Sequence, residues 1–292
     1  MYSFAGEVKA IFPSLIENDD CASIQYMRIE RCDFVIKTLS LAAAVMFSGC
    51  VTSSETGRSH LELISQGQEA TLGFQSFQEI KKQTPVSKDA AATAMVQRVG
   101  QRIAAVAQME GAQWEFVLFE SKEPNAFCLP GGKVGVYTGI LPITKDEAGL
   151  AAVLGHEIAH ATQHHGNERM SRSMVLNGVG SLVGASMSAS GASPRAMALF
   201  QNLYTPGVQI GAELPHSRTQ ESEADLVGLR YMARGGYNPE ASLAFWQRFA
   251  DLNNRGGGGS TPFFLRTHPT DAQRIAQIQA ALPAAKAEYH PR

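Results

Sequence analysis

Apolar residues recur at three- and four-residue intervals along most of the chain, a pattern that predicts a mainly helical protein. Helices are predicted over residues 61–82, 90–109, 146–165, 169–189, 220–233, 239–252 and 271–282. Two short stretches have the composition of strands, Glu115–Phe119 and Lys133–Tyr137, and a Pro-Gly-Gly turn precedes the second. We expect these two strands to form a hairpin. The predicted fold is therefore α+β and predominantly helical.

The first fifty residues follow a different pattern from the rest. Residues 38–47 are an apolar run that is too short to span a membrane, which takes about 20 residues. Basic residues precede this run, and the small pair Ser48-Gly49 lies between it and Cys50. The arrangement is typical of a signal peptide that ends in a lipobox, with Cys50 as the lipidated residue. The alternative interpretation is a buried helix.

This interpretation divides the chain into three parts. Residues 1–49 are predicted to be a signal peptide, 50–60 a lipid-anchored polar tether and 61–287 the folded domain. Met27 lies where a signal peptide of ordinary length would begin. Residues 1–26 are therefore interpreted as an upstream extension or the product of an alternative start.

Charge excludes one class of function. The chain has 25 basic and 27 acidic side chains, for a formal net charge of −2. A nucleic-acid-binding protein requires a basic surface, and no such excess is present. Hydrophobic residues make up 44% of the chain, which is enough for a packed core.

The most informative motif is His156-Glu157-x-x-His160 inside an apolar segment. Four residues of helix place both imidazoles on one face, roughly 6 Å apart along the axis, where both can bind one Zn²⁺. Glu157 would lie beside the ion as the base that takes a proton from the attacking water. Two surface histidines on an amphipathic helix are the alternative, but the apolar flanks argue against it.

A catalytic zinc site takes a third protein ligand. The metzincin pattern would require histidine at position 166, where this chain has Gly166. A later acidic cluster supplies the other solution, because Glu221 and Asp225 are four apart and face the same way. One of them can bind the metal while the other accepts an imidazole N–H. Glu223 is expected to point elsewhere, as a surface or helix-pair charge.

Four motifs in order carry a resemblance to a known family. The chain resembles the zinc peptidase family that includes HtpX and the CAAX prenyl endopeptidases, and within it the LoiP-like and BepA-like envelope branch. The similarity covers about residues 60 to 283 and rests on the segments Asn125–Gly132, Gly135–Gly139, Leu154–His160 and Glu221–Asp225.

The resemblance implies a zincin-like fold with a small sheet packed on the histidine-bearing helix. It implies one zinc ion per chain, with His156, His160 and Glu221 as ligands. It also implies Glu157 as the general base and Asp225 as the partner of a liganding imidazole. The substrate would lie along an edge strand that includes Asn125, Ala126 and Phe127.

The resemblance also extends to Thr267-His268-Pro269, with Arg274 after it, near the C-terminus. In relatives this histidine can close over the metal as a fourth ligand, so His268 is either such a plug or a histidine at a helix start. The implied function is an endopeptidase of the bacterial envelope that degrades misfolded or misassembled envelope proteins. It would face the periplasm, and Val51 after Cys50 resembles the sorting pattern of outer-membrane lipoproteins. The alternative is a latent zinc protein that acts as a chaperone or assembly factor for outer-membrane proteins.

Overall fold

The computed structural model describes residues 49–189, 193–195, 217–255 and 263–291, so the predicted leader lies outside the described residues except for its last position. In chain order the elements are β1 (Cys50–Thr52), β2 (Ser59–Leu61), α1 (Gln66–Gln83), α2 (Ala90–Ala104), β3 (Glu115–Phe119), β4 (Ala126–Leu129), β5 (Lys133–Tyr137), a 3₁₀ turn (Thr138–Ile140), α3 (Leu141–Thr144), α4 (Glu147–Thr162), α5 (His165–Ala189), α6 (Arg218–Arg234), α7 (Glu240–Arg255), α8 (Phe263–Thr267) and α9 (Ala272–Ala287). The predicted α+β, predominantly helical class is confirmed.

The three-stranded sheet has the order β3-β5-β4, and the predicted hairpin between β3 and β5 is wrong. These two strands lie at the predicted residues but pair in parallel, whereas β4 pairs with β5 antiparallel. The physical reason is the turn: Gly131 and Gly132 both have left-handed φ angles of 81° and 82° and directly join β4 to β5. The four-residue strand β4 is too short to show a clear alternation in sequence.

The helix predicted over residues 146–165 is two helices. Helix α4 ends at Thr162, and His164 has a φ of 51°, which turns the chain before α5 begins at His165. The start of α4 also differs from the sequence pattern, in which Thr144 and Glu147 have the spacing of a capping box. Asp146 is the cap, because its carboxylate accepts a hydrogen bond from the Gly149 N–H at 2.8 Å.

Helix α4 lies at the centre of the domain. Its residues from Gly149 to Ala161 are all buried. It packs against β4, α2, α6 and α7, and the three-stranded sheet therefore covers one side of it while helices cover the others. The predicted arrangement of a small sheet on the histidine-bearing helix is confirmed.

The crossing of α4 and α6 depends on two glycines. A Cβ atom added to Gly228 would lie 2.9 Å from the Gly155 carbonyl carbon and 2.9 Å from the His156 nitrogen. A Cβ added to Gly155 would lie 2.9 Å from the Gly228 carbonyl oxygen. The two backbones are therefore in direct contact, and this contact sets how far the acidic residues of α6 lie from the histidines of α4.

The segment predicted as a polar tether forms an antiparallel hairpin, β1–β2, that packs on the domain. Ser53 Oγ donates a hydrogen bond to the Gln163 side chain at 2.5 Å. The Glu55 carboxylate forms ion pairs with Arg230 at 2.7 Å and Arg234 at 2.9 Å on α6. Cys50 is exposed at the start of β1, and its lipidation stays a prediction.

Among the described residues, no helix combines the length and the apolar composition needed to cross a bilayer.

Candidate metal centre

The two histidines of α4 meet at their Nε2 atoms. The Nε2 atoms of His156 and His160 are 3.0 Å apart, and both side chains are almost fully buried. The cap at Asp146 and the apolar contacts of α4 fix the helix, so the four-residue spacing alone brings the two nitrogens to one point. The sequence prediction of a shared face holds in the structure.

Glu221 enters this point from the first turn of α6. That helix begins with a capping box in which Ser217 and Gln220 satisfy each other's backbone N–H groups. The Glu221 carboxylate lies 3.2 Å from His160 Nε2 and 3.5 Å from His156 Nε2. Of the two acidic candidates, the structure therefore places Glu221 at the histidine nitrogens.

His268 completes the cluster. It follows the short helix α8, and its ring contacts the buried Phe264 with centroids 4.5 Å apart. His268 Nδ1 lies 3.2 Å from His156 Nε2 and 3.0 Å from Glu221 Oε1. One donor atom from each of these residues lies within 4.8 Å of every other, a group that could hold a metal ion: His156, His160, Glu221 and His268.

The donor set fits a zinc ion, because histidine nitrogens and a carboxylate oxygen are ligands that zinc prefers. His156 Nδ1 faces the Asp225 carboxylate at 2.9 Å, so a neutral His156 directs its Nε2 lone pair at the centre. The charges fit as well. The buried carboxylates of Glu157, Glu221 and Asp225 gather negative charge around this point, which a divalent cation would offset.

Asp225 lies outside the donor group and holds His156. Both of its oxygens also accept hydrogen bonds from Arg274 Nε and Nη2, each at 2.8 Å. The Arg274 guanidinium is buried, lies 3.6 Å from the Trp246 ring centroid and pairs with Glu221 at 2.9 Å. Sequence reasoning assigned no role to Arg274. A buried arginine that neutralises two carboxylates is invisible in local spacing, because its partners lie on another helix.

Electrostatics of the centre favour positive charge. Burial disfavours the charged imidazolium, but the carboxylates of Asp225 and Glu221 raise the pKa of His156 to about 9. Burial opposes ionisation of Glu221 as well, yet His268 and Arg274 hold the pKa of Glu221 well below its usual range. Groups that stabilise a proton between carboxylates stabilise a metal ion at the same point.

Glu157 lies one residue along from His156 and does not belong to the donor group. Its Oε1 atom is 3.5 Å from His268 Nε2 and has no hydrogen-bond partner among the described residues. Burial raises the pKa of Glu157. A carboxylate with a raised pKa is a stronger base, which suits a residue that must take a proton.

Glu223 points away from the donor group, as predicted, and of its two predicted settings the structure shows the helix-pair charge rather than the surface one. Glu223 is buried and accepts hydrogen bonds from the side chains of Thr56 and Arg58 on the β1–β2 hairpin. It also lies 3.1 Å from His165 Nε2. Burial lowers the pKa of His165, so this imidazole is favoured in its neutral form. The sequence before position 61 gave no indication that Thr56 and Arg58 contact Glu223.

A cleft of about 710 Å³ opens beside the donor group. Strand β4 lines it with Ala126 and Phe127, Asn125 lies directly before that strand, and Glu157 and His160 lie at its inner wall. Among the described strands, β4 is an edge strand of its sheet. The structure therefore places the predicted substrate residues at the cleft that leads to the centre.

Comparison with known proteins agrees with this geometry. The sequence pattern of Peptidase family M48 matches residues 90–282. The chain is 38% identical over 194 residues to the mitochondrial metalloendopeptidase OMA1 of Schizosaccharomyces pombe. The aligned residues cover 66% of this chain and 54% of that protein. The chain is 30% identical over 271 residues to the Saccharomyces cerevisiae protein of the same name, covering 84% and 75%.

A bacterial relative is similar as well. The chain is 28% identical over 245 residues to the beta-barrel assembly-enhancing protease of Escherichia coli K12, covering 83% of this chain and 49% of that protein. The chain thus spans about half the length of two of these relatives and three quarters of the third.

Proposed function

Because this chain belongs to peptidase family M48, we propose that it is a zinc-dependent endopeptidase with His156, His160 and Glu221 as ligands of one zinc ion. The observation that carries the proposal is the buried group of donor atoms beside Glu157, at the wall of a cleft lined by an edge strand. Bound zinc would supply Lewis-acid chemistry, which polarises a peptide carbonyl and makes water acidic.

The protein's own residues divide the remaining work. Glu157 takes a proton from the attacking water and passes it to the leaving amine. Its raised pKa suits it for this role, as does an Oε1 atom that accepts no hydrogen bond from the described residues. Asp225 accepts the Nδ1–H of His156 and so fixes the ring orientation. Arg274 keeps Asp225 and Glu221 ionised.

The substrate binds as an extended peptide along β4. Residues Asn125, Ala126 and Phe127 offer backbone groups at the edge of the sheet, and a peptide can add to such an edge as a further strand. In this binding mode the affinity comes from main-chain hydrogen bonds more than from the peptide's side chains. It therefore suits unfolded or misassembled proteins, whose extended segments are accessible.

Zinc content and casein cleavage, measured together, test this function. We expect about one zinc per chain in the wild type and in Glu157→Gln, and cleavage only in the wild type, because the glutamine cannot accept a proton. Glu79→Gln, an exposed glutamate on α1, is the matched control and should cleave normally. A Glu157→Gln protein that still cleaved casein would refute the assigned mechanism.

We further propose that His268 holds the enzyme latent as a fourth ligand. Three imidazoles and one carboxylate satisfy the four positions of a tetrahedral zinc site, which leaves none open to water. The same observation favours the second candidate function, a latent zinc protein that acts mainly as a chaperone or assembly factor. His268→Ala tests the latency that both candidates share, since a histidine that blocks the fourth position predicts faster casein cleavage by this variant than by the wild type. Unchanged cleavage would leave His268 with a structural role only.

The proposed setting is the bacterial cell envelope, with Cys50 lipidated and the domain facing the periplasm from the outer membrane. Support comes from the apolar run before Cys50, the exposure of this cysteine, and the similarity to a bacterial protease named for β-barrel assembly. Its substrates would be misfolded or misassembled envelope proteins. Palmitate labelling with membrane fractionation tests the anchor, and Cys50→Ala should abolish both label and membrane association. Labelling of Cys50→Ala at the wild-type level would exclude this anchor.

A further inference from the structure

The second ring nitrogen of His160 contacts another histidine. His160 Nε2 faces the donor group, and His160 Nδ1 lies 2.7 Å from the Nδ1 atom of His165. The His165 ring is fully buried. The turn at His164, with its φ of 51°, brings the start of α5 back towards the last turn of α4 and makes this contact.

His165 in turn contacts Glu223, and Glu223 contacts the N-terminal hairpin. His165 Nε2 lies 3.1 Å from Glu223 Oε2. Glu223 accepts hydrogen bonds from Arg58 and from Thr56, both on the loop between β1 and β2. Arg58 also donates to Glu168 on α5 at 2.8 Å, so the hairpin, α5 and α6 meet at one guanidinium.

We propose that His165 and Glu223 are positioning residues for His160, and that Arg58 of the hairpin holds them in place. The inference rests on the proposed zinc site. A His160 that binds zinc through Nε2 carries its proton on Nδ1 and donates it to His165 Nδ1. His165 then carries its own proton on Nε2 and donates it to Glu223. Each ring has one tautomer that satisfies the two contacts named here, so the chain of hydrogen bonds fixes the orientation of His160.

His156 and His160 are therefore oriented by different hydrogen-bond partners. His156 donates directly to the carboxylate of Asp225, whereas His160 reaches the carboxylate of Glu223 through a neutral imidazole. Because Glu223 is held by Arg58, zinc binding by His160 depends on the packing of the β1–β2 hairpin against the domain. Loss of a partner behind a metal-binding histidine typically costs 10–100-fold in metal affinity.

The test measures the rate at which bound zinc passes to a chromogenic chelator. We expect His165→Ala to release zinc at least about tenfold faster than the wild type. His165→Asn should release zinc more slowly than His165→Ala, because the asparagine Oδ1 takes the place of Nδ1 and accepts from His160. Glu223→Gln, which keeps the shape of the side chain, and Arg58→Ala should each accelerate release.

Glu55→Ala is the matched control. It removes ion pairs between the same hairpin and α6, with Arg230 and Arg234, but has no described contact with His165 or Glu223. Melting temperatures recorded in parallel show whether each variant folds. The inference is overturned if Glu223→Gln and Arg58→Ala release zinc as slowly as Glu55→Ala, or if His165→Asn and His165→Ala behave alike. A wild type without zinc, or an unchanged release from His160→Ala, would instead overturn the proposed zinc site.

Discussion

The contact between α4 and α6 makes Gly228→Ala an informative perturbation. The new Cβ would lie 2.9 Å from two backbone atoms, at Gly155 and His156, and neither can rotate away as a side chain could. Ordinary contact begins at about 3.4 Å, so the helices must separate by about 0.5 Å. Metal sites accept deviations of about 0.2 Å in ligand distance. The displacement would therefore move Glu221 out of range of the histidines on α4.

The expected cost follows from the same geometry. Overpacking of a tight core costs about 1–3 kcal/mol. In a domain of this size each kcal/mol lowers the melting temperature by about 2–4 °C, so Gly228→Ala should melt about 2–12 °C below the wild type. Because Glu221 is displaced, it should also retain less zinc after dialysis against a weak chelator.

Differential scanning calorimetry and metal analysis check both effects. Gly178→Ala is the matched control, since no described atom lies within 4 Å of its added Cβ and the residue is an exposed position of α5. It should be neutral or stabilising by up to about 1 kcal/mol, from helix propensity alone. A Gly228→Ala protein that melts and holds zinc like the wild type would refute the claim that this helix contact sets the ligand geometry.

Three further substitutions test the surroundings of the centre. Arg274→Gln leaves Asp225 buried without its guanidinium, and urea unfolding should show a loss of about 3–5 kcal/mol; a loss below 1 kcal/mol would contradict the buried pairing. His164 donates a hydrogen bond to the Glu69 carboxylate, which raises the pKa of His164 above its usual value, so that bond stabilises the fold at low pH. The difference in melting temperature between the wild type and His164→Asn should therefore shrink as the pH rises above about 6.5. Melting temperatures that keep a constant difference across this pH range would argue against a stabilising His164–Glu69 bond. Asp146→Ala removes the cap of α4 and should cost about 0.5–2 kcal/mol by urea unfolding, whereas an unchanged midpoint would mean that the cap contributes nothing.

Several features could be predicted from the sequence because they depend on neighbours along the chain. The spacing of His156 and His160 places both rings on one face of any α-helix, whatever surrounds it. The strands β3 and β5 were predicted at the residues where they occur. The resemblance singled out Glu221 and His268, which the structure brings to the same point as the two histidines.

Other features depend on contacts between distant segments, and the sequence pattern does not encode them locally. The partner of β3 could not be read from its own residues, because parallel or antiparallel pairing is decided by the chain path through β4 and the Gly131-Gly132 turn. The hairpin at residues 50–61 is polar and short, the composition of a tether. Its docking depends on ion pairs with α5 and α6, more than 100 residues away.

The same distinction divides the centre itself. The helix period alone determined that His156, Glu157 and His160 lie together. Only tertiary structure decided what holds them: Asp225 and Arg274 behind His156, and His165 and Glu223 behind His160. The physical reason is burial, since a polar group removed from water must find its partner wherever the packed helices place one.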